Sequence, residues 1–175
     1  VIISLIIILG GKSNKKDNAI IRGESETKSL VVYFSQADVV DLDKTDVVTP
    51  NSVFYCASIS KAFTACAIGL LVDEGKLSFD DPVREHLPWF STPDPYVTEH
   101  FLVRDLLCHR SGWITFDGDL LWYGSDFSQR EILDRHAREP FTYEFRNEFG
   151  YSNLMLIAAA QVIEAVSGQT WDQFL

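Results

Sequence analysis

A serine and a lysine three residues apart, Ser58 and Lys61, stand in the run Val53-Phe54-Tyr55-Cys56-Ala57-Ser58-Ile59-Ser60-Lys61-Ala62-Phe63-Thr64-Ala65. The pattern predicts that they open a helix. Residues three apart on a helix share a face, so the two side chains can meet. Such a pair suits nucleophilic acyl transfer. A serine hydroxyl is a weak nucleophile until a neighbouring base takes its proton. A lysine serves as that base when burial or another cation brings its pKa towards neutrality. A serine at a helix N-terminus also lies among unpaired backbone N–H groups, which favour the negative charge of a tetrahedral intermediate. Taken alone, Ser-x-x-Lys is short, and a capping serine beside a solvated lysine satisfies it too.

A second chemical signal is Gly150-Tyr151-Ser152-Asn153, placed directly before an apolar run from Leu154 to Val166. A tyrosine beside a lysine can ionise below its usual ~10 and exchange protons with a serine or a leaving group. An asparagine side chain carries both amide donors and an acceptor oxygen. The competing reading is a helix cap made by Ser152 or Asn153. His109 stands near Ser111, but that spacing is too local for a triad, and His109 reads as structural.

The elements that must carry these residues are legible in outline. Pro50 and Asn51 form a turn. From Ile59 the apolar residues Ala62, Phe63, Cys66, Leu70 and Val72 recur at helical intervals, with Gly75 as the stop. Leu30 to Phe34 is a predicted strand. Asp80-Asp81-Pro82 reads as entry to a short helix ending at Leu87-Pro88, not as a pair of acid/base carboxylates. Ser91 to His100 reads as a loop, and Val103 to Cys108 as a short apolar helix. Asp117 to Tyr123 is an aromatic-rich loop that either borders a substrate cleft or fills core. Ser128 caps a helix from Gln129 to about Arg138, with Glu131 completing a capping box.

With 46% hydrophobic and 23% charged residues, the 175-residue chain is globular in composition. A net charge of −10 without a basic patch argues against nucleic acid. Cys56, Cys66 and Cys108 lack metal-ligand or disulfide-framework spacing, and Cys56 and Cys66 read as small core residues. No cofactor and no metal are expected. The opening Val1 to Leu9 is too short for a membrane-spanning helix and reads either as the apolar core of a signal peptide or as a buried strand. Lys12 to Lys28 reads as a polar linker or disordered arm, so residues 1–29 are set apart from a domain over 30–175.

Phe54-x-x-Ala57-Ser58-x-Ser60-Lys61-x-Phe63-Thr64-Ala65 resembles the nucleophile helix of serine β-lactamases and penicillin-binding proteins, most closely the class C branch with its esterases and D-alanyl-D-alanine carboxypeptidases. Tyr151-Ser152-Asn153 resembles that branch's Tyr-x-Asn motif. Leu77-x-x-Asp80-Asp81-Pro82-Val83 and His109-x-Ser111-Gly112 are similar to its connectors. The resemblance implies an α/β (α+β) protein of serine β-lactamase-like fold, with a helical subdomain and the N-terminal edge of an antiparallel sheet. It implies Ser58 as nucleophile, Lys61 and Tyr151 as proton handlers, and Asn153 as a substrate-binding residue. A Lys/His-x-Gly strand of the family does not follow Asn153 in this sequence, so the C-terminal sheet strands are expected to be missing and the chain alone inactive. Phe34 to Val39 also lacks glycines that the family carries there.

Two functions remain open at this point. One is a serine hydrolase acting on amide, ester or β-lactam carbonyls through an acyl-serine intermediate, with a small-molecule or peptide substrate. The other is a non-catalytic β-lactam- or peptide-binding relative, or an inactive truncated homologue. A purely structural helical domain is a third, weaker reading. The resemblance implies a bacterial, periplasmic or secreted setting, and no stable membrane span.

Overall fold

The computed structural model describes residues 6–7, 22–23, 30–31 and 54–175. Ser58–Leu175 forms the larger compact unit and Ser4–Ala57 a second one. In the smaller unit, β1 (Ile6–Ile7) pairs antiparallel with β4 (Phe54–Tyr55), and β2 (Arg22–Gly23) with β3 (Leu30–Val31). The expected strand from Leu30 to Phe34 is thus described only at its start. Most of the apolar opening, the polar arm and the glycine-free stretch from Phe34 to Val39 lie outside the described residues.

The larger unit is organised around α5 (Leu154–Ser167), which buries residues on nearly every side. A helix that is apolar all round belongs in the middle of a fold. The others gather on it: α1 (Ser60–Asp73), α2 (Val83–His86), α4 (Gln129–His136), α6 (Trp171–Phe174) and a 3₁₀ turn over Val103–Leu106. The consecutive alanines Ala158, Ala159 and Ala160 are wholly buried, so their small side chains meet neighbours on all sides. Gly168, left-handed at φ 71°, ends α5 with its N–H on the Glu164 carbonyl.

Helix α1 faces α5 with Thr64, Ala67, Ile68 and Leu71. The face expected from sequence was another one: Ala62, Cys66 and Leu70 are exposed. The helix is apolar almost all round, so periodicity alone cannot select its buried side. Cys66 is accordingly not a core residue, whereas Cys56 is buried. Gly75 does end α1, at φ 68°, with Gly75 N–H on Val72 O (2.9 Å) and Lys76 N–H on Leu71 O (2.9 Å). These are the two bonds of a Schellman stop.

The connectors brace the helical unit. Asp81 accepts from the Ser78 N–H and meets His86 Nε2 at 3.0 Å, a structural use of the aspartate pair. Residues Ser91 to His100 are not all loop: α3 (Pro95–His100) is capped by Asp94 with Pro95 in its first turn. Ser128 and Glu131 cap α4 reciprocally, as a capping box requires.

Candidate active site

Ser58 lies in a 3₁₀ turn, Ala57–Ile59, that runs directly into α1. Ala57 before it takes φ 45°, a left-handed conformation that a residue with a Cβ adopts only at a cost. Lys61 is the second residue of α1, one turn on from Ser58, and its Nζ donates to Ser58 Oγ at 3.2 Å.

Tyr151 arrives from the segment that leads into α5. Its backbone carbonyl accepts from Phe116 N–H (2.8 Å) and its N–H donates to Thr115 Oγ1 (3.1 Å). Gly150 just ahead of it has no room for a side chain: a Cβ would stand 2.0 Å from the Trp113 carbonyl oxygen. Held this way, the Tyr151 hydroxyl lies 2.6 Å from Ser58 Oγ. The Lys61 ammonium sits 4.8 Å above the centre of the Tyr151 ring.

Ser152 and Asn153 divide two tasks. Buried Ser152 accepts the Met155 N–H (3.2 Å) and so caps α5. Asn153 makes no cap bond; its Oδ1 accepts from Lys61 Nζ at 2.7 Å. The structure therefore brings Ser58, Lys61, Tyr151 and Asn153 together, from positions up to 95 residues apart in sequence (153 − 58).

Two further residues complete the arrangement. The His109 ring stacks on Tyr151, centroids 4.6 Å apart and planes inclined by 29°. Its Nδ1 accepts from the Ser152 N–H at 3.1 Å, which requires that nitrogen to be unprotonated. Burial lowers the His109 pKa, and the charge of Lys61 lowers it further. Asp119, at the head of a 3₁₀ turn over Asp119–Leu121, accepts from Asn153 Nδ2 at 3.1 and 2.9 Å. The aromatic-rich loop thus borders the site, and its carboxylate escaped sequence reasoning because it has no motif around it. For Tyr151, burial alone would raise the pKa; the neighbouring Lys61 ammonium and the hydrogen bond with Ser58 outweigh that and hold it below its ordinary value.

Either hydroxyl can donate in the Ser58–Tyr151 bond. Ser58 Oγ accepts from Lys61, so its own hydrogen is free to point at the Tyr151 oxygen. Ser58 Oγ thus stands between the Lys61 ammonium and a tyrosine whose pKa is held below its ordinary value. The family described as Beta-lactamase matches residues 28–175, and the chain belongs to that family. It has the serine β-lactamase-like fold expected of it, here as helices with short antiparallel strand pairs.

The unguisins hydrolase ungD' of Aspergillus campestris (strain IBT 28561) is 34% identical over an alignment of 131 positions, which covers 70% of this chain and 24% of that protein. The teichoic acid D-alanine hydrolase of Staphylococcus aureus (strain MRSA252) is 29% identical over 131 residues, 75% of this chain and 31% of that protein. Among solved structures, the D-amino acid amidase from Ochrobactrum anthropi SV3 complexed with L-phenylalanine amide superposes with a TM-score of 0.66 at 27% identity. That match covers 89% of this chain and 42% of the amidase. The chain thus spans well under half the length of each of these relatives, which are hydrolases by name.

Proposed function

We propose that the protein is a serine hydrolase that cleaves amide, ester or β-lactam carbonyls through an acyl-serine intermediate on Ser58. The observation that carries this reading is the Ser58–Tyr151 contact of 2.6 Å, with Lys61 bonded to the same serine oxygen. Ser58 Oγ attacks the carbonyl carbon while its proton passes to the Tyr151 oxygen, which Lys61 keeps receptive. The tetrahedral oxyanion collapses, the C–N or C–O bond breaks, and the leaving amine or alkoxide takes the proton from Tyr151. Water then attacks the acyl-serine with the same pair as base, releasing the acid and restoring the serine hydroxyl. Lys61 shares the proton traffic and holds Ser58 and Asn153. One Asn153 amide hydrogen directed at Asp119 leaves the other for the substrate carbonyl.

The relatives' names support an acyl group derived from an amino acid or peptide, since they hydrolyse unguisins, D-alanine on teichoic acid, and D-amino acid amides. Extracytoplasmic placement and a single domain over residues 30–175, behind an arm of 1–29, belong to the same proposal.

Intact protein treated with a fluorescent fluorophosphonate or penicillin should gain one label, and peptide mapping should place it on Ser58. Ser58→Ala should lose the label and about 10³-fold or more of any turnover. A label retained in Ser58→Ala would sink the reading. A permanent acyl adduct with no product release points instead to a binding or sensing relative.

A further inference from the structure

We infer that Asp119 is a positioning residue for the acyl transfer, fixing the Asn153 carboxamide in the one orientation that offers its oxygen to Lys61. The inference rests on the acyl-serine reading above. In the observed orientation Asn153 Oδ1 accepts from Lys61 (2.7 Å) and Nδ2 donates to both Asp119 oxygens (3.1 and 2.9 Å). Turning the amide over would set N–H groups against the ammonium and an oxygen against the carboxylate, two repulsive contacts in place of two good ones. An amide without Asp119 has no such bias on its nitrogen side. Lys61 would then lose a partner that holds it against Ser58.

The carboxylate is itself pinned. Trp122 Nε1–H donates to Asp119 Oδ1 at 3.0 Å. Gly118, left-handed at φ 74°, packs so closely that a Cβ there would meet His136 at 2.7 Å and Leu154 at 2.8 Å. Asp117 on its other side meets buried His136 Nε2 at 3.1 Å. The loop is therefore clamped to α4 and α5, and Asp119 is aimed by the fold. Its charge also reaches Tyr151, around which stand Lys61 from α1, the stacked His109, and Ser58. Lys61 favours the tyrosinate, whereas Asp119 opposes it.

The test is the rate constant for fluorophosphonate labelling of Ser58, measured across pH on intact protein. Asp119→Ala should slow labelling by about 10²-fold, the scale of a ~1 Å misplacement. Asp119→Asn, which keeps an acceptor but not the charge, should lose less and move the Tyr151-dependent limb to lower pH. Trp122→Phe, which removes only the donor to Asp119, should slow labelling about threefold and serves if the Asp119 variants do not fold. The decisive variant exchanges the pair. Asn153→Asp alone sets two carboxylates face to face and should label poorly, and adding Asp119→Asn should restore the rate at least ~10-fold, because donor and acceptor are merely swapped.

Folded Asp119 variants that label at the parent rate, or that slow without a pH shift and without rescue by the exchange, overturn the assignment while Ser58 labelling stands. Parent protein that takes no label on Ser58 overturns the acyl-serine reading and this inference with it.

Discussion

Tyr151 is held in the site by its backbone neighbours as well as by Ser58 and Lys61. Gly150 is one of those neighbours. Because a Cβ there would overlap the Trp113 carbonyl at 2.0 Å, Gly150→Ala must shift the backbone that sets Tyr151 against Ser58. The expected cost is about 1–3 kcal/mol in stability. Labelling at Ser58 should fall more than tenfold by the ~1 Å rule; denaturant titration and labelling rates read the two effects separately. Among the described residues, four with side chains hold positive φ, namely Ala57, His109, Phe116 and Arg146. Ala57 precedes the serine, His109 stacks on Tyr151, and Phe116 bonds its carbonyl. Strain of this sort, about 1–3 kcal/mol per residue, persists only where surrounding structure over-determines it.

Helix α5 carries the site because the Tyr151–Asn153 segment leads directly into its first turn while its body is locked in the core. Its buried alanines leave no slack. Ala159→Leu should destabilise the fold by about 1–3 kcal/mol through overpacking, visible as a lower denaturant midpoint. Ile68 of α1, also fully buried, should cost about 2–5 kcal/mol when cut to alanine. Trp171 Nε1 donates to buried Thr64 Oγ1 at 3.0 Å, so α6 pins the same helix that holds Lys61.

Two histidines link the stability of the larger unit to acidity. His136 is buried against Trp113, with ring centroids 4.1 Å apart, and burial lowers its pKa although Asp117 acts in the opposite sense. The pKa of His109 is lowered by burial and by Lys61. A histidine whose folded pKa lies below its unfolded value of ~6.5 contributes fully above that value and loses its contribution as pH falls through the folded one. The histidine contribution to the melting temperature should therefore be complete above about pH 7 and be lost progressively below about 6.5. His136→Gln should lower the melting temperature at neutral pH and flatten the acid decline. A melting temperature that rises on acidification would contradict this assignment. Labelling of Ser58 should fall in the same range, because protonated His109 cannot accept the Ser152 N–H.

Ser-x-x-Lys and Tyr-x-Asn were readable in the chain because local chemistry demands those residue types at those spacings, and so were the Gly75 stop and the Ser128–Glu131 cap. Each is decided within a few residues of backbone. The α3 helix was also written locally, in Asp94-Pro95, but went unread beneath the prolines of its loop. Other features needed the packed molecule. Which face of α1 is buried depended on α5, because an almost uniformly apolar helix has no preferred side of its own. Asp119 had no motif, since its meaning lies in an amide 34 residues away. His109, read as structural from its spacing, proved to be stacked on the tyrosine because Gly150 lets two backbone segments approach more closely than any other residue would. Local spacing specifies which chemical groups exist and where helices begin and end; only tertiary packing specifies which of those groups share a hydrogen bond, because contact across distant segments is a property of the folded core and not of neighbours along the chain.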